Sequence, residues 1–193
     1  MKVCRLFNIM LLFLLIVLPA IAQPSVRLIP DQSEINIKGT SNLHDWEENV
    51  ENFKVNLDLE FQEKELKGID NVHVTLMSNS IVSDNSIMTN KTHDALNVKK
   101  YPQIEFKLVS VDRLSSQEGK FSGTLVGDVT LAGVTKRITL TFSGVHSGDK
   151  ISIKGSKELN MSDFKIDPPT ALMGTLKTGK EVTISFQLNF QIT

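Results

Sequence analysis

The sequence predicts an all-β fold, eight antiparallel strands sharing one apolar face, with one short helix. Three observations carry that expectation. Apolar residues recur at every second position in eight separate runs, which is the pattern of half-buried strands. Turn residues separate neighbouring runs, and nowhere do strands alternate with long helical stretches as parallel folds require. The clearest pair is residues 120–142, where Phe121, Gly123, Leu125, Gly127, Val129 and Leu131 share one face. After the break at Ala132-Gly133-Val134-Thr135 the alternation resumes as Ile138, Leu140 and Phe142, so the two runs pair as a hairpin with one apolar side.

In chain order, residues 23–30 form a short opening segment, and Ile35 and Ile37 mark a first strand that ends at Gly39-Thr40-Ser41-Asn42. Phe53, Val55, Leu57, Leu59 and Phe61 alternate with polar residues over a length that spans a barrel wall. Residues 62–68 read as a charged turn, and Val72, Val74 and Leu76 continue the pattern. Ser86 is placed to cap a helix over residues 87–96, and Pro102 stops it. In the next strand, residues 103–111, Ile104, Phe106 and Leu108 share a face, while Val109 and Val111 change parity as at a β-bulge. Ile151, Ile153 and Gly155 make a seventh strand, residues 162–179 an irregular loop, and Val182, Ile184, Phe186, Leu188, Phe190 and Ile192 the eighth.

Strands with one apolar face can curl into a closed barrel, which removes their exposed edges. Periodicity alone leaves a β-sandwich open as the alternative. An eight-stranded barrel is either filled by its own side chains or holds one small ligand. Gly123, Gly127 and Gly155 stand at inward positions, where they either permit sharp coiling of the strands or leave bore for an acyl or prenyl chain.

The first residues carry Lys2 and Arg5, an apolar run over residues 6–18 and the sequence Pro19-Ala20-Ile21-Ala22, which together predict a signal peptide cleaved after Ala22. The remaining residues 23–193 suit one domain, expected to be exported, with no stable membrane insertion. The single cysteine, Cys4, falls in the leader, so the mature domain has neither a disulfide nor a thiolate nucleophile. The whole chain has a net charge of −1, and removing Lys2 and Arg5 brings it to −3. A weakly acidic domain without a basic block excludes nucleic acid as the expected partner. Homodimerisation is left open.

Few residues hint at reaction chemistry. His44-Asp45 and His93-Asp94 would complete a metal-dependent hydrolytic site only if their loops met in space, and they lack a metal-binding spacing such as His-x-x-x-His. No Gly-x-Ser-x-Gly elbow is present. Trp46 is read as a cap on the barrel end, its indole N–H hydrogen-bonded, and His73 and His146 as outward-facing.

The segment GTLVGDVTLAGVTKRITLTF resembles the Gly-x-Leu to Gly-Val-Thr-Lys hairpin of the YceI-like lipid-binding family. HDALNVKKYPQIEFKLVSV is similar to that family's aspartate, short helix, Tyr-Pro and Ile-x-Phe strand, and DFKIDPPTALMGTLKTGKEVTISFQLNF to its Asp-Phe-x-Ile segment and last strand. The three matches lie in chain order between His93 and Phe190, and the resemblance is taken to extend over roughly residues 33–192. The resemblance implies an extended lipocalin-like barrel, non-enzymatic, periplasmic or secreted, that sequesters or transports a long-chain isoprenoid, an isoprenoid quinone or a similar fatty amphiphile. No cofactor is implied beyond such a lipid or quinone. Carried over residue by residue, it places Phe53, Val55, Leu57, Phe106, Leu108, Leu125, Val129, Ile138, Leu140, Phe142, Ile184, Phe186 and Leu188 around the tail, with Met88 and Leu96 as a lid. Where many members carry a Gly-x-Phe motif this chain has the run from Gly39 to Trp46, so the resemblance does not define that end of the pore. A protein-filled barrel acting through its outer surface remains a further alternative.

Overall fold

The computed structural model describes residues 25–171 and 174–193; the expected signal peptide lies outside the described residues. The strands are β1 (Val26–Leu28), β2 (Glu34–Ser41), β3 (Trp46–Val50), β4 (Phe53–Gln62), β5 (Glu65–Met77), β6 (Ile81–Val82), β7 (Gln103–Gln117), β8 (Lys120–Leu131), β9 (Val134–Ser147), β10 (Lys150–Asn160), β11 (Thr170–Ala171) and β12 (Leu176–Ile192), with one α-helix, α1 (Ser86–Leu96). The eight expected strands are β2, β4, β5, β7, β8, β9, β10 and β12. The short strands β1, β3, β6 and β11 were not legible in the sequence, each offering five residues or fewer to set a period.

All ladders are antiparallel and follow the path β4-β5-β7-β8-β9-β10-β12-β2-β3-β6, with β1 and β11 added on β12. The two ends of that path belong to continuous chain. β3 leads into β4 through Glu51 and Asn52, and β5 leads into β6 through a short 3-10 turn, Ser78–Ser80. Across this junction the Glu51 amide donates to the Ser80 carbonyl at 2.9 Å and the Met77 amide to the Asn52 carbonyl at 3.2 Å. The sheet therefore curls round and meets itself along part of its height, a barrel rather than a sandwich.

Local rules explain the joints. Ala132 and Gly133 turn β8 into β9 with φ of 48° and 78°, a left-handed pair whose twist suits a two-residue hairpin. The cap of α1 is Asn85 rather than Ser86: its side chain accepts from the amides of Ile87 and Met88, and Asn97 closes the helix in the left-handed region. The parity change in β7 is a bulge between Leu108 and Ser110. It leaves Val109 47% exposed and returns Val111 to the core, so the two valines part company. On the outer wall Arg137 grips Asp128 through two 2.9 Å bonds, and its guanidinium holds that carboxyl below the usual carboxylate range.

The inward glycines leave no bore. A Cβ at Gly127 would fall on the ring of Phe106, at Gly123 it would lie 2.7 Å from the ring of Phe142, and at Gly155 2.6 Å from that of Phe186. Each glycine is a seat for an aromatic ring from the neighbouring strand, which covers the bare backbone with apolar area. Gly39 seats Trp46 in the same way.

Candidate functional site

The barrel interior is stacked in three tiers. The floor is solid: Phe61 and Phe121 meet edge to face with centroids 6.1 Å apart, and Leu66, Ile151 and Phe190 are buried in the same core. His146 lies against Phe61 at 4.5 Å, with Nδ1 buried and Nε2 3.1 Å from the Gly148 carbonyl, so it belongs to this tier and not to the outer face expected from the sequence. Its strand parity explains the correction, since His146 follows the inward Phe142 and Gly144. Above the floor is an inner chamber of about 170 Å³, lined by β2, β4, β5, β7, β8, β9, β10 and β12; its lining is apolar apart from Lys157 and from Glu105, whose carboxylate turns to Lys107 on the outer wall at 2.7 Å. Above that is a mouth chamber of about 260 Å³, roofed by α1. Ile35, Leu76, Ile104, Val129, Leu159 and Ile184 line both chambers and form the neck between them.

Val55, Leu57, Phe106, Leu125, Val129, Ile138, Leu140, Phe142, Ile184, Phe186 and Leu188 line the inner chamber, and Met88 and Leu96 the mouth chamber. Phe53 and Leu108 line neither; both are half-buried and packed on the core. Phe53 follows the break between β3 and β4, and Leu108 precedes the bulge at Val109, places where a strand bends and inward parity no longer aims at the axis. Leu176 of β12 lines the mouth and Leu188 the inner chamber. At ~3.3 Å per residue and a tilt of ~40°, the two chambers together follow β12 over roughly 30 Å of barrel height, about the thickness of a bilayer's hydrocarbon core.

The sequence reading missed Glu48. Trp46, Glu48 and Val50 alternate inward along β3, and Glu48 is 1% exposed, the one charged side chain buried among the described residues. It lines the mouth chamber, where the Thr92 hydroxyl of α1 lies 2.8 Å and 3.0 Å from its two carboxylate oxygens. Burial pushes its pKa above the ordinary 4.5, while the Thr92 hydrogen bond and the nearby His93 pull it back in part. The alternation was the available signal, hidden because so short a run reads as loop.

Trp46 caps the barrel end as expected, its indole N–H donating to the Thr40 carbonyl at 2.9 Å. His73 is on the outer wall, 3.2 Å from Thr75 Oγ1 and 3.8 Å from Glu105. The two His-Asp pairs do not assemble a metal centre. His44 has Nδ1 2.6 Å from the Asp45 carbonyl and His93 has Nε2 2.8 Å from the Ile81 carbonyl. Among the described residues no three His, Cys, Asp or Glu side chains are placed to hold a metal ion. Nor, among them, is any helix long and apolar enough to cross a membrane.

Residues 27–190 match the YceI-like domain family. The chain belongs to the YceI-like family. A UPF0312 protein of Pseudomonas putida strain W619 is 33% identical over 114 residues, covering 56% of each chain. Another, from Pseudomonas syringae pv. tomato strain DC3000, is 35% identical over 89 residues, 43% of this chain and 44% of that one. The chain thus spans about half the length of the curated relatives it matches. Among solved structures, BcnA of Burkholderia cenocepacia superposes with a TM-score of 0.68 at 16% identity, over 84% of this chain and 99% of that one. A polyisoprenoid binding domain from Saccharophagus degradans does so with a TM-score of 0.64 at 11% identity, over 88% and 99%. At such identities the likeness shows the shared fold.

For this YceI-like protein the buried Glu48 makes stability depend on pH with a definite sign. The folded state keeps the proton to higher pH than the unfolded chain, so the stabilisation is complete below the ordinary 4.5 and is lost as pH rises through the raised value. Glu48→Gln keeps an acceptor for Thr92 and removes the ionisation. Its melting temperature is expected to exceed the parent's by several degrees at neutral pH, at roughly 2–4 °C per kcal/mol for a domain of this size. The gap should close as pH falls toward 4.5. Thermal melts across that range check it, and a gap that is constant with pH would refute the assignment.

Proposed function

We propose that this protein is an exported, non-enzymatic carrier that holds one long-chain isoprenoid lipid, or a similar amphiphile, with its tail in the two chambers and its head under α1. The observation that carries the reading is the apolar path from Leu176 to Leu188, open at a helix-roofed mouth and closed by the aromatic floor. The inner chamber, about 170 Å³, is close in size to a ~150 Å³ apolar cavity that admits benzene, and the mouth, about 260 Å³, is less than twice that, so a long tail needs both in series. At ~0.8 kcal/mol per buried methylene, about fifteen buried carbons contribute roughly 12 kcal/mol before association costs of about 4–15 kcal/mol. Binding is thus within reach but depends on tail length. The shared fold with a domain described as polyisoprenoid-binding supports the same class of ligand, and the leader expected from residues 1–22 supports export.

Gentle purification, organic extraction and mass spectrometry should recover a lipid in about equimolar amount. Preparations that come out empty and also refuse added prenyl lipids would overturn the proposal.

A further inference from the structure

We propose that Glu48, held with the Thr92 hydroxyl against the roof of the mouth chamber, anchors the head of the bound lipid and selects an uncharged oxygen head, an alcohol or a carbonyl, over a phosphorylated one. The inference rests on the reading of the pore as a tail site and specifies which end of the lipid stops where.

Three features point to it. Glu48 faces the chamber next to solvent rather than the floor, at the depth where a head would come to rest once the tail is inside. Among the described residues the hydrogen-bond partner of its carboxyl is the Thr92 hydroxyl, and the ion pairs do not include it. A carboxyl offers several acceptor positions when ionised, or a donor and acceptors when neutral, so one hydroxyl leaves hydrogen-bonding capacity directed at an otherwise largely apolar space. Burying such a group is costly unless partners satisfy it, and a leucine would pack a purely structural site with less penalty. An alcohol hydroxyl, donor and acceptor at once, completes the carboxyl in either protonation state, and a carbonyl oxygen completes the neutral carboxyl by accepting its proton.

A phosphate can do so only while the carboxyl stays protonated. Two anions a few ångströms apart repel strongly in a site shielded from water. Of the cationic candidates, Lys91 and His44 line the chamber but are exposed at its rim, where solvent and salt weaken them, and His93, the one that acts on Glu48, has its Nε2 on the Ile81 carbonyl. The asymmetry between a buried carboxyl and rim cations gives the mouth a preference by charge as well as by hydrogen bonding.

The test uses the full mature chain, stripped of lipid, titrated with geranylgeraniol, with the parent hydrocarbon lacking its hydroxyl, and with geranylgeranyl diphosphate. The alcohol is expected to bind about tenfold tighter than the hydrocarbon, the effect of one hydrogen bond to a buried polar group. Glu48→Leu should bring the alcohol down to the hydrocarbon's affinity and leave the hydrocarbon unaffected or slightly tighter. Glu48→Gln, isosteric and expected to fold at least as well, should keep most of the alcohol's advantage and narrow the gap between alcohol and diphosphate. An alcohol-to-hydrocarbon ratio unchanged by Glu48→Leu, or a diphosphate bound as tightly as the alcohol by the parent, overturns the anchor and leaves the tail pore standing. Failure of all three to bind overturns both.

Discussion

Gly127→Val is expected to lower the melting temperature by roughly 5–15 °C, the consequence of forcing about 2–4 kcal/mol of overpacking into a closed wall. The new Cβ would collide with the ring of Phe106 and lie 2.8 Å from the Lys107 carbonyl. The ring can move only toward the inner chamber, which it lines, and the carbonyl belongs to a ladder that cannot. Gly68→Ala is the control, because its Cβ meets only the Glu60 side chain, the mobile carboxylate oxygen at 3.0 Å and the Cβ at 3.4 Å, and a change near zero is expected. Combining Gly127→Val with Phe106→Ala should recover at least ~1 kcal/mol relative to the sum of the single changes, since the ring being displaced is gone. Simple additivity would mean that the glycine serves strand curvature and not the seating of the ring.

Val129→Phe should block long tails while sparing short ones. Val129 is 8% exposed and belongs to the neck that both chambers share. A phenyl group there divides the path, so a solanesol tail loses the inner chamber and geraniol, housed in the mouth, does not. Losing about four buried methylenes at ~0.8 kcal/mol each weakens binding roughly a hundredfold. Circular dichroism and melting separate this from misfolding, for which overpacking alone costs about 1–3 kcal/mol. Equal weakening of both alcohols, with an intact fold, would show that the tail does not pass the neck.

The eight long strands were legible because alternation over many residues leaves one reading of which face is inward. β12 supplies six apolar residues at period two, from Val182 to Ile192, and the hairpin of β8 and β9 adds an unambiguous break at Ala132-Gly133. Eleven of the thirteen residues placed around the tail line the inner chamber for the same reason, and the two lid residues of α1 line the mouth. Phe53 and Leu108 escaped because kinks and bulges rotate the strand locally, and a parity rule carries no information about where the axis lies.

Other features depended on neighbours that the linear pattern cannot supply. Gly123, Gly127 and Gly155 look like missing volume in a one-strand reading, yet each is covered by a phenylalanine from the adjacent strand, so emptiness was a property of the pair. Glu48 stands in the sequence beside Glu47 and near Asp45 and Glu51, with nothing to single it out. Only the pairing of β3 with β2 and the packing of α1 turned that carboxyl inward, onto Thr92. His44 and His93, promising as sequence, each spend a ring nitrogen on a backbone carbonyl. Periodicity along one chain determined the strands, the antiparallel pairing and an apolar interior, because side chains alternate strictly about an extended backbone. Whether that interior was solid, how it divided into floor, neck and mouth, and where its buried charge came to rest were decided by contacts between strands far apart in sequence, where register and ring packing set the space that remains.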